Sequence, residues 1–188
     1  MRTFIAIELS SPVRDAIFQV QSYFKYSGAD VKWVEKENIH LTLKFLGEIS
    51  DEKLQQVKAI LDKIGKSFKP FEINLKDIGA FPEIEFPRII WVGLDKGAKE
   101  STEIAKSIDK ELSMAGFERE IRPFSAHITI GRVRSTKNKE ALKEKLLSSP
   151  GSQLLASDSQ LVSSITLFRS ALTPKGSIYT KLHEVKLD

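Results

Sequence analysis

The stretch Ile39-His40-Leu41-Thr42-Leu43 returns 87 residues later as Ala126-His127-Ile128-Thr129-Ile130, reading apolar, His, aliphatic, Thr, aliphatic in both places. The chain holds three His and eight Thr in 188 residues, so two His each followed by Thr two places on is about a one-in-200 accident. Chance explains this poorly; a duplicated strand explains it well. In each copy, period-two alternation puts His and Thr on one face of a β-strand and the aliphatics on the other. The aliphatics can then enter a core while both polar pairs face a cleft.

The flanking sequence supplies the rest of an α+β pattern. Residues 2–9 read as a buried strand, and Ser10-Ser11-Pro12 opens a helix with Val13, Ala16, Ile17, Val20, Tyr23 and Phe24 on one stripe. Gly28 ends that helix. Short strands are expected at 31–34 and 39–46, then a helix capped by Ser50 with Leu54, Val57, Ile60, Leu61 and Ile64 inward. A hairpin-like strand pair covers 71–81 and 88–94, and a third helix spans 99–115 with Gly116 after it. Strands are expected again at 118–122 and 127–133, and a helix at 137–147 that stops before Pro150. The end reads as two long strands, 160–172 and 177–187, joined by the turn Thr173-Pro174-Lys175-Gly176. Strands and helices do not alternate singly, which favours antiparallel sheets over a doubly wound fold.

Composition narrows the function classes. Hydrophobic residues make up 41% and charged residues 29%, with 11 Phe and 2 Trp, too apolar for a disordered chain. With no Cys, disulfides, thiolate metal sites and a cysteine nucleophile are excluded. No apolar run reaches 18 residues and the N-terminal apolar patch is too short for a signal peptide, so a soluble cytoplasmic protein is expected. The net charge of +4 suits a polyanionic partner.

The motif residues define a chemistry. Imidazole titrates near 6.5, so one His can accept a proton while another donates one. A Thr hydroxyl about 6 to 7 Å along each strand can donate a hydrogen bond to an anionic oxygen between them. Two such pairs make a cradle for one tetrahedral phosphate, with base and acid on opposite sides as in-line displacement requires. Neither His40 nor His127 has a second ligand at metal-binding spacing on its strand, no Gly-x-Ser-x-Gly elbow occurs, and the glycines form no phosphate loop. No metal or other cofactor is expected.

His40-Leu41-Thr42-Leu43-Lys44-Phe45-Leu46-Gly47 and Arg122-Pro123-Phe124-Ser125-Ala126-His127-Ile128-Thr129-Ile130-Gly131-Arg132 closely resemble the paired motifs of the two-histidine phosphoesterases. Within them the likeness is to the RNA 2′,3′-cyclic phosphodiesterases historically called 2′-5′ RNA ligases. Arg2 to Ile7, Val31-Lys32-Trp33-Val34 and the segment from Phe168-Arg169-Ser170 to Tyr179 resemble that family too, so the likeness covers nearly the whole chain.

The resemblance implies one bilobal domain, 1–188, with two antiparallel sheets flanked by helices and the two His-x-Thr strands lining a central cleft. It implies a metal-free hydrolase that opens a 2′,3′-cyclic phosphate on RNA 3′-ends to a 2′-phosphomonoester. Reversed, with a ribose hydroxyl in place of water, the same groups would join tRNA halves. His40 and His127 are the implied catalytic pair, His40 protonating O3′ and His127 activating water, or the reverse. Thr42, Thr129 and Arg132 would hold the phosphate. A retained cleft without turnover, an RNA-binding module, is the remaining alternative. The enzyme is expected to be a monomer away from membranes.

Strict alternation turns Arg132 away from His127, so its role requires Gly131 to bend or bulge the strand. Lys44 shares the His40 face under alternation and reads as a solvated lysine at a strand end. Phe45 resembles a family aromatic near the terminal base, whereas alternation alone makes it core beside Leu41 and Leu43. Trp33 and Tyr179 are candidate base-stacking rings, and Arg119, Arg122 and Arg134 a candidate positive lip for RNA. His183, without a following Thr, reads as ordinary surface.

Overall fold

The computed structural model describes residues 1–149, 155, 159–174 and 176–188. Its elements are β1 (Arg2–Glu8), α1 (Ser11–Lys25), β2 (Val31–Trp33), a 3-10 turn (Lys36–Asn38), β3 (His40–Glu48), α2 (Asp51–Gly65), β4 (Phe71–Phe81), β5 (Ile89–Leu94), α3 (Ala98–Met114), β6 (His127–Val133), α4 (Lys139–Leu147), β7 (Ser159–Val162), β8 (Ser164–Thr173) and β9 (Gly176–Lys186). The helices start where local chemistry starts them. Pro12 sits in the first turn of α1, and the Ser50 hydroxyl accepts the Lys53 N–H at 3.3 Å at the head of α2.

The strands form two antiparallel sheets, ordered β3-β1-β8-β9 and β2-β6-β5-β4-β7. One face of each packs on helices in a single continuous core that includes Ile5, Ile7, Leu41 and Leu43 from the first sheet and Ile90, Val92, Ile128 and Ile130 from the second. The first sheet's other face carries a separate cluster of Phe4, Ala6 and Phe168, with Tyr179 against it. The duplicated strands β3 and β6 belong to different sheets and approach within 8 Å, Cα to Cα.

Each duplicated strand carries one extra residue at the same place. Opposite β1, Thr42 faces Ala6 and Lys44 faces Ile5, leaving Leu43 as the inserted residue. Opposite β5, Thr129 faces Trp91 and Gly131 faces Ile90, leaving Ile130. Such a β-bulge reverses the in-out parity of everything after it. Leu43 and Lys44 therefore both point into the helix-backed side, as do Ile130 and Gly131, while Phe45 and Arg132 turn onto the face of His40 and His127. The bend that Arg132 required is present, one residue earlier than the glycine. Two expectations fail for the same reason: Phe45 is 58% exposed rather than core, and Lys44 is 4% exposed rather than solvated.

A buried polar side chain lies beside each bulge. Gln21 of α1 donates through Nε2 to the carbonyls of Ile130 (2.9 Å) and Val34 (2.8 Å). The Lys44 ammonium meets Asp109 of α3 at 2.7 Å and donates to the Glu118 carbonyl at 3.0 Å. Asp109 in turn accepts the Glu120 N–H at 3.0 Å and has Arg119 at 3.6 Å. Burial works against the Asp109 carboxylate, but the Lys44 hydrogen bond and the other donors outweigh it and hold its pKa below the ordinary value.

This network also explains why 118–122, expected as a strand, is irregular. Its backbone groups bond to Lys44 and Asp109 instead of a neighbouring strand, and Pro123 has no N–H to offer. The expected long strand at 160–172 breaks at Ser163, because β7 pairs with β4 in one sheet and β8 with β1 and β9 in the other. Pro150 and Lys175, read as a helix stop and a turn residue, lie outside the described residues.

Lys44→Ala strands the Asp109 carboxylate, and unfolding in urea should show a loss of about 2 to 3 kcal/mol. Lys44→Met combined with Asp109→Leu should recover most of that loss; no recovery would mean that the ion pair is not the source.

Candidate active site

His40 and His127 each open a strand, and their rings are fixed in the same way. Nδ1 of His40 lies 2.7 Å from the Asn38 carbonyl, and Nδ1 of His127 lies 2.7 Å from the Ser125 carbonyl, two residues back in both cases. A carbonyl only accepts, so Nδ1 carries the hydrogen in both rings. The lone pair is thus left on Nε2, which has no protein partner among the described residues.

Aromatic walls complete each half. His40 lies 4.8 Å from the Phe4 ring and 5.4 Å from Tyr179, which stands edge-on to it. His127 meets Phe81 edge-on at 5.0 Å, and Phe81 lies 5.3 Å from Trp91. The Trp91 indole lies flat along the sheet because Gly79 and Gly93 leave room; a Cβ at Gly79 would run into it. Burial among these rings disfavours the imidazolium, and this is the main reason that both histidine pKa values sit below 6.5. The carbonyl bond opposes that effect in each, and a cation adds to it: Arg14 beside His40 and Arg132 beside His127.

Thr42 stands opposite Ala6 and Thr129 opposite Trp91, each half-buried on its histidine's face. Arg132 is exposed on that face, opposite Ile89. Phe45 stands opposite Phe4, the rings 6.0 Å apart, in the equivalent position on β3.

The other candidates divide. Tyr179 belongs to the His40 wall. Trp33 is on the opposite face of its sheet from His127, packed against Gly131 at the open edge, in a groove that also holds Arg134. Arg119 and Arg122 sit on the exposed segment leading into His127, Arg119 beside Asp109. His183 forms a surface pair with Asp62 at 2.7 Å, as its lone position suggested.

Arg14, Phe4, Phe81 and Trp91 escaped the sequence reading. Arg14 is fixed by its Nε donating to the Leu9 carbonyl at 2.7 Å, a contact with no motif to announce it. Phe4 and Trp91 could have been found by extending alternation across neighbouring strands.

The LigT like Phosphoesterase family matches residues 7–91 and again residues 92–179, one His-x-Thr motif in each match. The chain belongs to this family. Over 187 residues it is 34% identical to the RNA 2′,3′-cyclic phosphodiesterase of Methanothermobacter thermautotrophicus, covering 100% of this chain and 99% of that protein. To the RNA 2′,3′-cyclic phosphodiesterase of Methanocaldococcus jannaschii it is 38% identical, covering 98% and 99%. The crystal structure of Escherichia coli LigT complexed with 3′-AMP superposes with a TM-score of 0.80 at 25% identity, covering 99% of this chain and 97% of that one.

Nitrogen-detected NMR should find both histidines as the Nδ1–H tautomer above pH 8 and show both titrating below 6.5. Since the folded pKa values are lowered, the unfolded chain binds protons first as pH falls, and these two groups remove stability progressively below about pH 6.5. A midpoint above 6.5 for either ring in the free protein would contradict the described surroundings.

Proposed function

We propose that this chain hydrolyses the terminal 2′,3′-cyclic phosphate of RNA to a 2′-phosphomonoester, with His40 and His127 as the proton-transfer pair. The supporting observation is the matched anchoring of the two imidazoles: same strand position, same carbonyl partner two residues back, same free Nε2. The names of the relatives point to the same bond, and the family match covers both motifs.

In the reaction, water attacks phosphorus and the P–O3′ bond breaks. His127 Nε2 takes the water proton and His40 Nε2 gives a proton to O3′, so the pair ends with its charges exchanged and resets through solvent. Thr42 and Thr129 donate to the non-bridging oxygens, and the Arg132 guanidinium offsets their negative charge. Both pKa values are low in the free protein, so the imidazolium needed at His40 is favoured once the phosphate anion arrives. Every step uses side chains of this chain alone. We read residues 1–188 as one catalytic unit acting as a cytoplasmic monomer. The described residues include no helix long and apolar enough to cross a membrane.

In EDTA, an oligonucleotide ending in a 2′,3′-cyclic phosphate should be converted to the 2′-phosphate. His40→Ala and His127→Ala should each lower kcat by about 10²- to 10⁴-fold. Full activity in both variants would refute the assignment. The profile of kcat/KM against pH should be bell-shaped with its maximum on the acid side of 6.5, because it reports the free enzyme's two lowered pKa values.

A further inference from the structure

At the open β2 edge of the second sheet, α1, β2, the 3-10 turn and the end of the β8–β9 hairpin enclose a groove of about 440 Å3. Four cations line it, Lys25, Lys32, Lys36 and Arg134, against one carboxylate among the described lining residues, Glu35. Lys36 is paired with Asp15, whereas Lys25, Lys32 and Arg134 form no ion pair with the described residues. The aromatic lining is Phe18 and Trp33, with the Lys25 ammonium 5.0 Å from the Phe18 ring centre.

Two of its walls are tied to elements of the catalytic cleft. Lys32 stands directly opposite Arg132 in the β2–β6 ladder, so the two cations share the face that carries His127 and Thr129. On the other side, Asn38 donates through Nδ2 to the Ser177 carbonyl at 2.8 Å, tying the hairpin wall to the residue whose own carbonyl fixes His40.

We infer that this groove carries the RNA strand on the 5′ side of the cyclic phosphate, Lys25, Lys32 and Arg134 meeting its backbone phosphates and Trp33 a base. The inference rests on the activity proposed above. A cyclic phosphate closes the 3′-end of its strand, so the remainder of a polymeric substrate leaves the cleft in the 5′ direction and carries a negative charge at every step. An open groove with unpaired cations and an aromatic ring is the combination that holds single-stranded nucleic acid without reading its sequence. Its volume also suits a small organic group.

Substrate length separates this groove from the catalytic centre. Lys25 and Lys32 are exposed, so Lys25→Ala/Lys32→Ala should fold normally, which circular dichroism checks. Hydrolysis is measured on a nucleoside 2′,3′-cyclic monophosphate and on a single-stranded hexanucleotide ending in the same group. For the hexanucleotide, KM should rise about tenfold with kcat little changed, and the slope of log KM against log salt should fall by about 1.4, two single-strand phosphate contacts. The mononucleotide should be cleaved as by the native protein. Equal losses on both substrates, or no loss on the hexanucleotide, overturn the inference. Native protein that cleaves neither substrate refutes the proposed activity itself, and a variant that loses its fold is replaced by the single changes, judged by the same criterion.

Discussion

The inserted residue just past each His-x-Thr, Leu43 in one strand and Ile130 in the other, is the constraint on which the cleft depends. A strand in a helix-backed sheet gives every second residue to the core, and that parity can be broken only by adding or removing a residue. Here the break comes after the threonine, so that the next outward position is Phe45 in one half and Arg132 in the other. Without it, the guanidinium would be driven into an apolar core, and the ring would be lost from the cleft. The two halves thus share a backbone device while offering different chemistry, an aromatic surface beside His40 and a fixed cation beside His127.

Polar side chains buried beside the two bulges tie the strands to the helices behind them. Gln21, 1% exposed, spans the Ile130 and Val34 carbonyls from the helix side. Lys44, turned inward by the first bulge, reaches across to α3 and to the segment that leads into His127. At Gly131 the inward turn tolerates no side chain, since a Cβ would lie 2.8 Å from Val31 and 3.0 Å from the Trp33 ring. The sheet distortion that builds the site and the polar contacts that hold its flanking segment are one structural arrangement.

Much of this was legible in the sequence because it obeys period rules. The repeated motif located both histidines and both threonines, and helical stripes such as Val13, Ile17, Val20 and Phe24 pointed to the residues that are buried. What alternation could not supply was its own interruption. Alternation misplaced Lys44 and Phe45 because the bulge precedes them, and Arg132 could be placed only by requiring a distortion that the family likeness demanded. Residues 118–122 carry strand-like composition, but their hydrogen bonds go to Lys44 and Asp109, partners 74 and 11 residues away in the chain. Arg14 was invisible for a similar reason: its closeness to His40 is a tertiary fact with no local signature.

The electrostatics of the cleft follow from the same packing. Rings from both sheets desolvate the two imidazoles, and Arg14 and Arg132 add positive charge beside them, so the free protein favours two neutral histidines. In the proposed reaction an entering phosphate reverses the balance, since its charge opposes those of the arginines and favours an imidazolium. In the proposed reaction, binding is then linked to proton uptake. A neutral ligand of similar shape would gain neither the guanidinium contact nor the protonated acid. Under the proposed reaction, discrimination for a charged phosphodiester follows from the burial of the two histidines, before any contact with the base or with the rest of the strand is made.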